Sequence, residues 1–135
     1  MNKKSSASRK IGITYIILTV VTVITEKIYR QFGHGVTSPA MTWMFLYPLA
    51  GGLFIYVVNR TKVVSVDAER YRSISNLYHS GIATLTVGSF LKGVLEIAGT
   101  DSVYLVYFFI VGFAMVLFGG LSLSRASNGV RNRIR

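Results

Sequence analysis

Four long apolar blocks constrain this 135-residue chain more than any other feature. A helical span needs about 20 mostly apolar residues to cross a hydrocarbon layer of about 30 Å. The stretches from Ile11 to about Phe32, from Met41 to Val58, from about Asn76 to Ala98, and from Val103 to Leu123 meet that requirement or come close to it. Their connections are short and leave almost no chain for a soluble domain. In lipid each backbone N–H and C=O must be paired within its own segment, which selects helices. The reading is an all-α, four-transmembrane-helix bundle formed by a single integral membrane domain, residues 1–135. Even the first block, "IGITYIILTVVTVITEKIYRQF", is read as a helix, although its β-branched residues would favour a strand in water.

Charge sets the expected orientation. The net charge is +10, and twelve basic residues fall in three clusters. These are Lys3, Lys4, Arg9 and Lys10; Arg60, Lys62, Arg70 and Arg72; and Arg125, Arg131, Arg133 and Arg135. In a four-span chain those clusters share one side, and Lys/Arg excess in short loops marks the cytoplasmic face. Both termini are therefore expected inside, with the loops at 31–40 and 99–102 outside. The basic tails are read as orientation signals that attract anionic lipid, not as a nucleic-acid surface. The absence of cysteine removes disulfides, thiolate metal sites and thiol catalysis. The first block runs on into "TEKIYRQF" without a small-residue cleavage site, so it is read as an uncleaved span.

Local signals divide the chain further. Gly33 and Gly35 stop the first helix, and Ser38-Pro39 reads as the cap and first turn of the next. Pro48, followed by Gly51-Gly52, predicts a kink near mid-membrane. "VDAERYRSI" in the middle loop suits a short helix lying along the inner surface. Gly112 and Gly119 are seven apart on one face, with Ser122 beside them, and suit close helix packing.

The spacing of polar residues inside the spans carries the functional signal. Tyr15, Thr19, Thr22, Glu26 and Tyr29 fall on one stripe of span 1. His79, Thr86, Ser89, Gly93, Glu96 and Thr100 fall on one stripe of span 3. The two stripes are expected to face each other, or a partner, across a polar seam. Glu26 and Glu96, with Lys92, Thr22 and Ser89, are the candidates for an ion or proton site, because ionisable groups at membrane depth are costly and often functional. The plainer reading pairs Lys92 with Glu96, and Glu26 with Arg30, four residues apart. His34 in the 31–40 loop is an external contact candidate, and His79 is placed at the inner interface, where it caps or packs. The two histidines stand about a membrane thickness apart, which argues against one haem held by both. No metal motif, nucleophile elbow or phosphate loop occurs, so no catalytic residue, metal or cofactor is assigned and the chain is read as a non-enzyme.

The stretches "FGHGVTSPAMTWMFLYPL" and "NLYHSGIATLTVGSFLKGVLEIAGT" resemble a group of uncharacterised small four-span membrane proteins of Gram-positive bacteria. The resemblance covers most of residues 26 to 101. It implies a bacterial plasma-membrane location and brings no activity or site residues. Small multidrug transporters also have four short spans and a glutamate in the first, but Glu26 lies late in its span and the rest does not match. Three functional expectations follow. The first is an accessory or regulatory subunit packed against a larger membrane protein. The second is a homo-oligomeric small transporter or channel using Glu26 and Glu96. The third is a haem-binding electron carrier.

Overall fold

The computed structural model describes residues 3–33, 36–61 and 68–131, with side chains described for 9–33, 36–58 and 69–125. The described residues are all-helical: α1 (Lys3–Phe32), α2 (Pro39–Thr42), α3 (Leu46–Thr61), α4 (Ala68–Ile97) and α5 (Leu105–Arg131). Four segments are long and apolar enough to cross a membrane: Arg9–Phe32, Pro39–Val58, Glu69–Ile97 and Leu105–Arg125. They correspond to the four blocks of the sequence.

The second span is broken. Proline has no amide hydrogen, and its ring clashes with the carbonyl four residues earlier. Pro48 therefore prevents a regular helix from running through Met44. The helix stops at Thr42 and restarts at Leu46, joined by Leu46 N–H donating to Trp43 O and Tyr47 N–H donating to Met44 O. The interruption thus lies upstream of Pro48, toward the α1–α2 connection, rather than as a kink at mid-span. Ser38 caps α2 as expected, its Oγ accepting from Met41 N–H at 3.2 Å. The expected surface helix takes another form. Val66 and Asp67 lie outside the described residues, and from Ala68 the chain is already the first turn of α4. At its other end α4 closes on Gly99 at φ +71°, where Thr100 N–H returns to Leu95 O and Gly99 N–H to Glu96 O. That left-handed closing residue is the position glycine fills without strain.

The tightest packing is between α4 and α5. Glycines seven apart on each helix, Gly81 and Gly88 facing Gly112 and Gly119, let the antiparallel backbones touch. A Cβ added to Gly119 would stand 2.9 Å from Tyr78 Cα, and one added to Gly81 would stand 2.8 Å from Val116 N. Between apolar helices in lipid no hydrophobic force acts, so van der Waals contact of this kind supplies much of the association. The α1–α3 pair docks beside α4–α5 through the adjacent Gly51 and Gly52. The first lies under Ile82 of α4 and the second under Tyr15 of α1. Tyr15, Ile55, Val58, Tyr78, Ile82 and Leu123 form the core between the two pairs. The remaining helix faces are apolar and exposed, including Ile16, Val20 and Ile24 of α1 and Ile110, Leu117 and Phe118 of α5. That surface suits lipid and is poorly suited to water. Of the four spans α1 is the least covered, with 11% of its apolar window buried.

Gly119→Val should therefore separate α4 from α5 and destabilise the bundle by about 1–3 kcal/mol, as overpacking does. Gly12→Ala, where an added Cβ meets nothing within 4 Å, should be neutral or slightly stabilising. Detergent-titration unfolding in mixed micelles measures both.

Candidate functional site

The polar side chains of the spans gather at two levels. At the end where α1 leads into α2, Ser38 is the centre. Its hydroxyl donates to Glu96 Oε2 while accepting from Met41 N–H, and the side chain is buried. Cap and carboxylate thus complete each other across two helices. The second carboxylate oxygen, Glu96 Oε1, stands 3.9 Å from Lys92 Nζ. That pair is partly exposed and loose. Among the described residues it is the one ion pair. About two turns along α4 from Glu96, Ser89 Oγ donates to Ala40 O at 2.6 Å, and between them the buried Met41 side chain sits where a Cβ on Gly93 would lie. Together these contacts bind α2 to α4.

Glu26 approaches the same centre from α1. It is half-buried and lines a small cavity with Arg30, Thr37, Ser38 and Thr42. That cavity, of about 10 Å³, holds one water at most. The pairing expected with Arg30 is not formed, since no N–O distance between them is within 4.0 Å. Glu26 from α1 and Glu96 from α4 therefore both reach the surroundings of Ser38, one unpartnered and one held.

Toward the other end of the bundle lies a second polar group. His79 Nδ1 shares a 2.6 Å hydrogen bond with Tyr15 Oη, and His79 Nε2 shares one of 3.0 Å with Ser75 Oγ. A neutral imidazole has one donor and one acceptor nitrogen. Either tautomer satisfies both bonds, because each hydroxyl can give or take. A metal at His79 would first have to displace one of these partners. His79 thus packs as a bridge between α1 and α4. Its ring also lies 5.6 Å from Tyr15 and 6.0 Å from Tyr78, centroid to centroid.

Between the two levels the expected seam is not polar. The backbones of α1 and α4 stay more than 8 Å apart among the described residues. They meet through two long side-chain bridges, Tyr15–His79 and the edge-on pair Tyr29–Phe90 at 5.6 Å. The threonines of the stripes turn back on their own helices. Thr22 donates to Thr19 O and Thr86 to Ile82 O, both at 2.8 Å. What separates α1 from α4 is an apolar groove of about 380 Å³, walled by Leu18, Ile82, Ala83 and Val87 and floored by Pro48.

The stripe spacing placed Tyr15, Thr22, Ser89, His79 and Glu96 on the inward faces they occupy. Two partners escaped it. Ser75 lies four residues before His79, a spacing that signals the contact. Ser38 was legible as a cap, but its bond to Glu96 joins residues 58 apart in sequence, which no local pattern carries. His34, the external contact candidate, lies outside the described residues. Among the described residues no three His, Asp or Glu side chains converge as a metal site would require. Comparison with protein-family models, curated proteins and solved structures returns no match.

Two substitutions test the two levels. Tyr15→Phe removes one His79 partner and should lower stability by about 1 kcal/mol. Ser38→Ala removes the α2 cap and the hydrogen bond to Glu96 together and should cost about 1–2 kcal/mol. Both are read by the same mixed-micelle unfolding, with helicity followed by circular dichroism.

Proposed function

We propose that this chain is a non-enzymatic accessory or regulatory subunit of the bacterial plasma membrane. In this reading both termini are cytoplasmic, and the chain packs against a larger membrane protein or a second copy of itself. One observation carries the reading. The stripe residues Tyr15, Thr19, Thr22, His79, Thr86, Ser89 and Glu96 are hydrogen-bonded within the bundle, Glu26 is not, and the spaces between the helices are apolar. An ion or polar solute would meet an apolar barrier between the Ser38 level and the His79 level. The thinly covered face of α1 supports the same reading, since a helix held along one side offers its other side to a partner. The resemblance to small four-span proteins of Gram-positive bacteria agrees with the location.

Glu26 favours a second reading, a small oligomeric transporter or channel. It is the one stripe carboxylate without a partner, and it faces a cavity beside the Ser38–Glu96 bond. Proton flux separates the two. In liposomes with a trapped pH-sensitive dye, the subunit reading expects no flux above that of empty liposomes, and no difference after Glu26→Gln. Flux abolished by Glu26→Gln in a folded protein would establish the transport reading. Native mass spectrometry of the protein extracted from its own membrane in mild detergent should show a complex with a second polypeptide or a homodimer. A bare monomer would sink both readings, and an added mass near that of haem would revive the electron carrier.

A further inference from the structure

We propose that the groove between α1 and α4 holds one acyl chain of an anionic phospholipid from the leaflet at the N-terminal end, with the headgroup phosphate at Lys10. The groove's volume, about 380 Å³, falls within the usual range of ligand clefts, about 300–1,000 Å³. Its walls are almost wholly apolar, and its charged lining residue is Lys10. Lys10 has no acidic partner among the described residues.

The shape of the groove decides between a lipid chain and a protein helix. Along α1 it runs from Lys10 to Leu18, and along α4 from His79 to Val87. At 1.5 Å per residue each wall is about 12 Å long. One leaflet contributes about 15 Å of hydrocarbon, half the core. Beyond this length the Tyr29–Phe90 pair closes the gap between the helices. A transmembrane helix would need the full depth and would collide with that pair. An acyl chain entering from the N-terminal end needs only that one-leaflet half, and would lie alongside the Tyr15–His79 bond, whose two side chains form part of the groove lining. A single cation at the mouth then selects for a negative headgroup. The apolar groove between α3 and α5, lined by Phe54, Leu85, Phe113 and Leu117, has no charged residue in its lining and carries no such selection.

The inference is independent of the subunit reading, because it concerns lipid and requires no protein partner. It is tested by quenching in reconstituted protein. Trp43 is replaced by Phe, and a reporter tryptophan is placed in the groove by Leu18→Trp or, on the other wall, by Val87→Trp. A third reporter, Ile17→Trp, sits on the exposed face of α1 at the same depth. Vesicles of equimolar phosphatidylglycerol and phosphatidylcholine carry brominated chains on one lipid or the other. The groove reporters should see phosphatidylglycerol about fivefold enriched over phosphatidylcholine, the size expected of one basic side chain beside an anionic headgroup. Ile17→Trp should see little preference, and Lys10→Gln should remove the preference at the groove reporters. Equal quenching by both lipids in the groove would overturn the proposal. So would equal enrichment at Ile17→Trp, which would mean general attraction to the basic termini. Two groove reporters guard against one of them filling the space it is meant to probe. Persistence of the preference after Lys10→Gln would refute the assigned headgroup contact.

Discussion

The contact of α4 with α5 is the constraint on which the other helices depend. Four glycines at seven-residue spacing, Gly81, Gly88, Gly112 and Gly119, bring two backbones together where any side chain would hold them apart. In lipid this closeness replaces the hydrophobic drive that would assemble the same helices in water. It also fixes rotation. With Gly119 over Tyr78 and Gly112 over Leu85, the adjoining face of α4, roughly a quarter-turn around the helix, presents Ile82, Ser89 and Gly93 to α2 and α3. Those residues then receive Gly51, the Ala40 carbonyl and Met41 in turn. The placement of α3, and through Tyr15 on Gly52 the placement of α1, follows from that rotation.

Because the backbones of α1 and α4 stay more than 8 Å apart, the two helices end up parallel but separated. The wide gap is bridged where side chains are long enough, at Tyr15–His79 and Tyr29–Phe90, and stays open where they are short or aliphatic. The groove is therefore a consequence of placing glycines on the α4–α5 and α1–α3 contacts and none between α1 and α4. The end carrying Ser38 has no comparable gap. There the short helix α2 fills the space, and its cap, its carbonyl at Ala40 and its Met41 all engage α4.

The sequence made the membrane architecture legible because block length and backbone pairing in lipid admit few alternatives. Helical periodicity, a local property, also placed Tyr15, Thr22, Ser89 and Gly93 on buried faces, while Thr100 of the same pattern lies exposed beyond α4. The break in the second span was legible in kind but not in position. Proline acts on the carbonyl four residues before it, so the interruption falls at Trp43–Phe45 and not at Pro48 itself. The continuity of α4 from Ala68 was missed because Glu69, Arg70 and Arg72 suggested a separate surface segment. Their charges instead sit on the first turns of a helix long enough to extend beyond the hydrocarbon. The character of the space between the stripes could not be read at all. Whether threonines face a partner or fold back onto their own carbonyls depends on the distance to the next helix, and that distance is set by glycines elsewhere.

The two levels of polar contact differ in what they can yield. At Ser38, two bonds meet on one buried hydroxyl, the cap from Met41 N–H and the donation to Glu96, so a change there disturbs α2, α4 and the orientation of Glu96 together. At His79, the ring joins α1 to α4 across the groove through a single bond to Tyr15, its other bond being to its own helix. A bond shared between elements resists their separation, whereas a bond within one helix does not. The Ser38 end thus ties α2 firmly to α4, whereas α1 is held to α4 by the one Tyr15–His79 bond and the Tyr29–Phe90 ring contact. A lipid chain seated beside Tyr15 would act where one hydrogen bond opposes movement of α1 away from α4. Glu26 stands on that same helix, so any shift of α1 reaches the unpartnered carboxylate through about three turns of rigid helix.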